Sequence, residues 1–174
     1  MKQVLLTLGI LLMAMLGFYW VSNRYQVKKE LVTVVNDREI YFEVPKDLTV
    51  GTETEVKLMA KHETGKLVSY TIDFNYDPAV IKIINVEVNK NIFDNKAETK
   101  VSEDFGKVSL VGEKIKGRED LVSGEVLLAT IKIKGLRKGG TMIYASRRPE
   151  IGIFDAGKIS EGNFQMPNFK VNFL

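Results

Sequence analysis

Apolar and polar residues alternate with a period of two over most of the chain after residue 40, as they do in β-strands that bury one face. Four stretches show this alternation, and residues 169–173 supply a final strand. Turn residues such as Asp77-Pro78, Gly106 and Gly139-Gly140 separate the stretches. The pattern predicts eight or nine short strands in an antiparallel β-sandwich. The apolar positions of the four stretches are Val56, Leu58 and Ala60; Tyr70, Ile72, Phe74 and Tyr76; Ile84, Val86 and Val88; and Leu127, Ala129, Ile131 and Ile133.

The rest of this region contains no obvious helix. Residues 94–103 and 114–123 are polar and are predicted to be loops. Most aromatic residues fall on the inward side of the alternation, which predicts core positions for them rather than an exposed sugar-binding platform. These inward aromatic residues are Tyr70, Phe74, Tyr76, Phe169 and Phe173.

A long apolar stretch lies near the start of the sequence. Residues 4–21 contain no charge, and a helix of that length spans roughly 27 Å, close to the thickness of a bilayer core. Lys2 precedes the stretch, Arg24 follows it, and Phe18, Tyr19 and Trp20 gather at its far end, as in an interfacial aromatic belt. We therefore predict a transmembrane signal-anchor over residues 1–25, a stalk over 26–39 and one all-β domain over 40–174.

A cleaved secretory signal is the alternative explanation of the apolar stretch. The stretch continues into bulky Phe18, Tyr19 and Trp20, so no clear small-residue cleavage site precedes a polar start. Retention of the helix is therefore the prediction. It implies a single-pass membrane protein. The basic residues that flank the stretch do not clearly favour one orientation.

Charge and cysteine content narrow the function. All 22 Asp+Glu follow residue 29, whereas Lys2, Arg24, Lys28 and Lys29 precede residue 30, so the remainder carries 21 basic against 22 acidic residues. A nearly neutral domain lacks the basic surface that nucleic-acid binding requires. Since there is no cysteine, disulfides, thiol nucleophiles and thiolate metal sites are excluded.

Candidate catalytic and metal-binding groups are sparse. His62 is the only histidine, and its polar neighbours predict an exposed loop position rather than a metal ligand or triad member. Asp73, Asn75 and Asp77 resemble the start of a calcium loop, but Pro78 replaces its glycine, so a solvated strand edge is predicted. A weaker cation contact there stays open. We expect no cofactor.

Carboxylates are numerous enough for a glycosidase pair, which needs a defined separation across a cleft. The candidates lie among basic residues, as in ordinary solvated loops, so we predict that the protein is not an enzyme. These candidates are Glu103, Asp104, Glu113, Glu119 and Asp120.

Strand and turn segments follow one another in a particular order between residues 48 and 157. The segments are TVG at 49–51 before EVKL at 55–58, SYTIDFNYDP at 69–78, GKVSL at 106–110, GEVLLATIKI at 124–133, GGTMI at 139–143 and IFDAG at 153–157. In this order of segments the chain resembles cohesin domains, the β-sandwich modules that receive dockerins in cellulosomes and related cell-surface assemblies. The strand ending in Tyr76-Asp77-Pro78 is among the most telling parts of the resemblance.

The resemblance implies a non-catalytic jelly-roll sandwich that binds a dockerin-type protein module or a polysaccharide through one sheet face. It also implies that the β domain lies outside the cytoplasmic membrane, at the cell surface. Asp73, Asn75 and Lys82 lie on the matching strand region and are the candidate partner-binding residues. Many cohesins occur in tandem within long scaffolds, whereas this domain follows a predicted membrane helix. The alternative function is a structural subunit of an envelope or secretion assembly.

Overall fold

The structure is a computed structural model that describes residues 38–117, 121 and 123–174. In these residues the chain forms eleven β-strands and one 3₁₀ turn at Glu103–Phe105, which confirms the all-β prediction. The strands are β1 Arg38–Glu43, β2 Glu53–His62, β3 Lys66–Asn75, β4 Ile81–Val88, β5 Lys96–Ser102, β6 Lys107–Glu113, β7 Gly124–Gly135, β8 Gly139–Ala145, β9 Glu150–Asp155, β10 Lys158–Gly162 and β11 Phe169–Phe173.

The predicted signal-anchor, residues 1–25, lies outside the described residues. Across the described part of the chain, no helix has the length and apolar character needed to cross a membrane. The first described strand begins at Arg38, inside the segment predicted as a stalk.

The strands form two sheets of antiparallel pairs. The smaller sheet has the order β1-β2-β7-β4. The larger sheet has the order β10-β9-β3-β6-β5, and β8 joins it by pairing with both β3 and β11. Strand β3 therefore lies inside the larger sheet, with β6 along one edge and β9 and β8 along the other.

One hydrophobic core lies between the two sheets. Phe42 of β1 packs edge-on against Phe74 of β3 with 5.5 Å between ring centroids, and the hydroxyl of Tyr70 donates a hydrogen bond to the carbonyl oxygen of Leu128 at 2.8 Å. The predicted inward aromatic residues are confirmed, because Tyr70, Phe74, Tyr76 and Phe173 are buried and Phe169 packs against the core.

Two β-bulges shift the predicted alternation. The register between β4 and β7 slips between Ile83 and Asn85, so Ile83 is buried and Ile84 faces solvent, contrary to the prediction for Ile84. A second irregularity between β2 and β7 leaves Leu128 fully buried and Leu127 only partly so. A bulge adds one residue to one strand, which reverses the inward phase beyond it.

The prediction of a loop at residues 94–103 is wrong, because Lys96–Ser102 forms the strand β5 along the full length of β6. Ala97, Thr99 and Val101 lie on the inward side and alternate with charged or polar residues. The inward residues are small and the strand pairs with only one of the other described strands, so its apolar signal is weak. Pairing with β6 provides the stabilisation that the sequence of β5 alone lacks.

Gly106 fixes the tight turn between β5 and β6. Its φ is 57°, and a Cβ there would lie 2.1 Å from the carbonyl oxygen of Tyr76. The carbonyl oxygen of Gly106 in turn accepts a hydrogen bond from the backbone N–H of Tyr76 at 2.7 Å. Only glycine combines this backbone conformation with so close an approach, which confirms the predicted turn.

Candidate partner-binding face

The three candidate partner-binding residues do not form one site. Asp73 and Asn75 lie on β3 of the larger sheet, whereas Lys82 lies on β4 of the smaller sheet and faces solvent on the other side of the sandwich. Lys82 is paired with Lys134 of β7, so its surroundings are basic. Any partner that contacts Asn75 on a sheet face therefore approaches the side opposite Lys82.

Asp73 is buried, with 6% of its surface exposed, so the prediction of a solvated strand edge is wrong. Its carboxylate accepts a hydrogen bond from the Ser109 hydroxyl on β6. Arg147 Nε lies 2.9 Å and Lys107 Nζ 3.6 Å from Asp73 Oδ2. The outward side chain of a central strand is covered here by long basic side chains from its neighbours.

The surroundings of Asp73 keep its carboxyl group ionised. Burial raises the pKa of Asp73, but the hydrogen bond from Ser109 and the charges of Arg147 and Lys107 outweigh burial and hold the pKa below its ordinary value. Arg147 also reaches Glu150 on β9, with 3.0 Å between Nη1 and Oε1. This ionic cluster joins β3, β6 and β9, so its first role is to fix the face on which it lies.

We define the outer β3 face as the solvent side of β5, β6, β3 and β9. Its members follow from the pairing registers, because directly paired residues point to the same side of a sheet. Across the sheet, Lys96 is paired with Glu113. The adjoining row runs from Glu98 through Val111 and Thr71 to Glu150, each residue paired with the next. Lys100, Ser109 and Asp73 form the next row.

A groove of about 690 Å³ lies on this face and continues onto β10. Its apolar lining includes Val111 and Ile159, and its charged lining is three glutamates and one lysine, namely Glu113, Glu150, Glu161 and Lys96. Gly152 lies too close to the Ser69 side chain of β3 to carry a side chain of its own, because a Cβ there would lie 2.3 Å from Ser69 Oγ. The groove thus combines apolar contact area with net negative charge.

Exposed apolar side chains extend the same side of the larger sheet. Ile159 is 50%, Tyr144 45% and Met142 41% exposed. Tyr144 is paired with Asn75 and therefore points to the solvent side along with it. Tyrosine and methionine are enriched in protein interfaces, where they supply contact area, so this side of the sandwich suits a protein partner.

His62 is fully buried at the end of β2, so the prediction of an exposed loop histidine is wrong. Its ring centroid lies 6.3 Å from that of Phe164, and neither ring nitrogen has a hydrogen-bond partner among the described residues. Burial lowers the pKa of His62, and the charge of Arg38 lowers it further. The polar backbone of Thr64 raises the pKa, but by less than burial lowers it. His62 is therefore a neutral core residue.

The candidate carboxylate pair is not assembled in the described residues. Glu103 and Asp104 lie in the 3₁₀ turn before β6 and Glu113 lies at the far end of β6, roughly 20 Å away at the rise of a β-strand. Glu113 accepts a hydrogen bond from the side chain of Asn95 at 2.9 Å. Glu119 and Asp120 lie outside the described residues. Within the described part of the chain, no group of three or more His, Cys, Asp or Glu side chains could hold a metal ion.

Comparison with protein-family models gives no match, and no curated protein sequence matches the chain. Solved structures do match. The seventh ScaB type I cohesin from Pseudobacteroides cellulosolvens has a TM-score of 0.67 and 14% identity over 79% of this chain and 92% of its own. The OlpA cohesin from Clostridium thermocellum, solved in a type I cohesin-dockerin complex, has a TM-score of 0.66 and 16% identity over 80% of this chain and 100% of its own.

A third structure, a non-cellulosomal cohesin from the hyperthermophilic archaeon Archaeoglobus fulgidus, has a TM-score of 0.60 and 13% identity over 79% of this chain and 91% of its own. At such low identities these matches establish the fold rather than a ligand. They agree with the strand order from which the sequence resemblance was drawn. The described β domain therefore has a cohesin-like fold.

Proposed function

We propose that the β domain is a non-catalytic binding module that holds a dockerin-type protein module on the outer β3 face. The observation that carries this proposal is the cohesin-like fold, because several cohesins of that fold were solved in complex with dockerins. Identities of 12–16% transfer no contact residue to this chain. The choice of face therefore depends on the surface of the chain itself.

The larger sheet offers the better docking surface. It carries a groove, the exposed side chains of Tyr144, Met142 and Ile159, and an ionic cluster that holds three strands in place. The solvent side of the smaller sheet is more highly charged, since Lys57, Lys61, Lys82, Lys132 and Lys134 alternate there with glutamates. Interfaces are depleted in lysine and glutamate at their centres, which favours the larger sheet.

Charge defines the partner further. The groove lining has three glutamates against one lysine, so a complementary partner presents basic side chains to it. We expect rim charges of this kind to act mainly on the association rate, which falls as salt screens them.

Tethering is the second part of the proposal. We infer that residues 1–25 anchor the protein in the cytoplasmic membrane and that the domain works on its outer side. The support for the anchor is the uncharged stretch at residues 4–21 with its aromatic end. The support for the outer side is the resemblance to cohesins. A binding module fixed in this way localises whatever it captures at the cell surface.

The proposal is tested by titrating a panel of dockerin modules, and in parallel a set of plant and cell-wall polysaccharides, into the detergent-solubilised full-length chain. We expect saturable binding of at least one dockerin and no heat from the polysaccharides. Binding of a polysaccharide alone would replace the protein partner with a glycan. No binding in either arm, together with a stoichiometric membrane partner on co-purification, would favour the structural-subunit alternative.

A further inference from the structure

Some edges of the two sheets are covered by neighbouring backbone and others are open. The outer edge of β1 is covered by the backbone of Gln165, whose carbonyl oxygen accepts a hydrogen bond from Ile40 N at 2.8 Å. The edge of β11 is covered by Leu48, whose carbonyl oxygen accepts a hydrogen bond from Leu174 N at 2.9 Å. In contrast, β5 pairs only with β6, and no described residue pairs with its other edge. The larger sheet therefore ends in an open strand.

The hydrogen-bonding direction of β5 follows from its neighbours. The hydrogen bonds Lys114 N to Val68 O and Tyr76 N to Gly106 O show that even-numbered residues along β6 bond to β3. Because this direction alternates along a strand, the odd-numbered residues of β6 bond to β5. Their partners in β5 are Lys96, Glu98, Lys100 and Ser102. The N–H and C=O groups of Ala97, Thr99 and Val101 consequently point to the open edge.

Strand β5 carries two lysines, which help to protect an edge, but it lacks the other protecting features. Its seven residues contain no proline or glycine, and its register with β6 has no bulge. Its charged residues Lys96, Glu98 and Lys100 point to the outer β3 face rather than inward. By comparison, the open edge of β4 is interrupted by the bulge at Ile84.

We propose that β5 is a self-association edge, on which a second copy of this chain adds its own β5 in antiparallel orientation about a two-fold axis at Thr99. Thr99 is the midpoint of Lys96–Ser102, so all seven residues overlap. Ala97 then faces Val101 of the second copy, and Thr99 faces its own equivalent. These are the residues with free backbone groups, so three residue pairs each exchange two hydrogen bonds.

Charge selects this register. With the axis at Thr99, Glu98 faces Lys100 of the second copy and Lys100 faces its Glu98, which gives two opposite-charge pairs on the outer face. A pairing centred on Glu98 would instead place glutamate against glutamate and lysine against lysine, which destabilises a sheet. A pairing centred on Ala97 also matches charges, through Lys96 and Glu98, but shortens the overlap of the two strands. Lys96 already lies 3.5 Å from Glu98 within one copy.

The two-fold axis stands perpendicular to the sheet, so both outer β3 faces lie on the same side of the resulting continuous sheet. Self-association thus presents two binding faces to one side. This inference is independent of the proposed function, since it requires no dockerin. Its experiments measure only association between copies.

Charge reversal with rescue tests the register. In sedimentation velocity of the full-length chain in detergent, Glu98→Lys should raise the dimer dissociation constant about tenfold, because two attractive pairs become repulsive. Adding Lys100→Glu in the same chain should return the constant to near its original value. A monomer at all accessible concentrations, or equal constants for all three proteins, would overturn the proposal. Equal constants would also be the result if only the apolar N-terminal stretch associated.

A disulfide tests the position of the axis. The chain has no cysteine, so Thr99→Cys introduces a single thiol. Directly paired residues are about 5.5 Å apart at Cα, within disulfide range, so oxidation should yield a covalent dimer on a non-reducing gel. Glu98→Cys is the matched control, because its symmetry equivalent is offset by two residues. Efficient crosslinking of the control and none of Thr99→Cys would exclude the axis at Thr99.

Discussion

Asp73 illustrates what the sequence reveals about a single residue and what it does not. Alternation correctly places it on the side of β3 opposite Phe74. Its burial depends on Ser109, Lys107 and Arg147, which lie on other elements. Pairing across strands decides which long side chains cover a carboxylate, and a single sequence does not specify that pairing. His62 shows the same limit, since its charged sequence neighbours gave no sign of Phe164.

Replacing Asp73 should destabilise the domain. We expect Asp73→Asn to lower the free energy of unfolding by about 2 kcal/mol at pH 7, because Arg147 and Lys107 lose their buried counter-charge. Urea denaturation measures the change. The matched control is Asp77→Asn, since Asp77 is more exposed and its Arg137 contact at 3.5 Å lies in solvent, so its cost should be below about 1 kcal/mol.

The sign of the pH effect follows from the lowered pKa of Asp73. Its stabilising contribution is complete above the ordinary pKa of about 3.9 and is lost as pH falls through the lower pKa of the folded state. The difference between wild type and Asp73→Asn should therefore shrink below about pH 4. Equal stabilities at pH 7 would show that the ionic cluster contributes nothing.

Replacing His62 should flatten the acid side of the stability profile. The pKa of His62 is lower in the folded state than in the unfolded state. Above about pH 6.5 the histidine is neutral in both states and does not change the free energy of unfolding. Below that value the unfolded state takes up the proton first, which lowers the free energy of unfolding by at most about 1.4 kcal/mol per pH unit. We expect His62→Leu to lose less stability between pH 7 and pH 5 than the wild type. Denaturation curves at these two pH values measure it. Parallel profiles would contradict a buried neutral histidine, since the chain has no other histidine.

At the scale of elements, the strong alternation in β2, β3 and β11 predicted the strands, and their buried faces agree with it. The failures have two causes. Bulges change the inward phase within two strands. Ile84 is the extra residue where β4 pairs with β7, and Leu128 is the extra residue where β7 pairs with β2. Strand β5 is stabilised by one neighbour and carries only small inward residues, so its composition matched a loop.

The bulge in β7 is secured from the opposite sheet. The Leu128 carbonyl oxygen accepts from the Tyr70 hydroxyl at 2.8 Å and from Asn89 N at 2.9 Å. Tyr70→Phe removes the first bond and leaves the second, so we expect a loss of about 1 kcal/mol in unfolding free energy. Thermal and urea denaturation would measure it, with Tyr144→Phe as the control because Tyr144 is 45% exposed. An equal effect of both substitutions would mean that the Tyr70 hydroxyl does not stabilise the bulge.

For the whole molecule, the order of turns and strands was sufficient to indicate a cohesin-like sandwich, and the solved cohesins share that fold. The candidate site was not predictable in the same way. Lys82 was grouped with Asp73 and Asn75 because all three lie in the strand region that resembles cohesins, whereas the chain passes to the other sheet between β3 and β4. Side-chain exposure and sheet membership, rather than sequence distance, identify the outer β3 face.

The central claim is that this face binds a dockerin-type module, and two matched substitutions test it most directly. Thr71 and Thr130 are half-buried threonines on the solvent sides of the larger and the smaller sheet, respectively. Calorimetric titration of a binding dockerin should show at least about tenfold weaker affinity for Thr71→Arg, because a bulky cation fills the centre of the face, and unchanged affinity for Thr130→Arg. Loss of binding in Thr130→Arg alone, or wild-type affinity in both variants, would contradict the account.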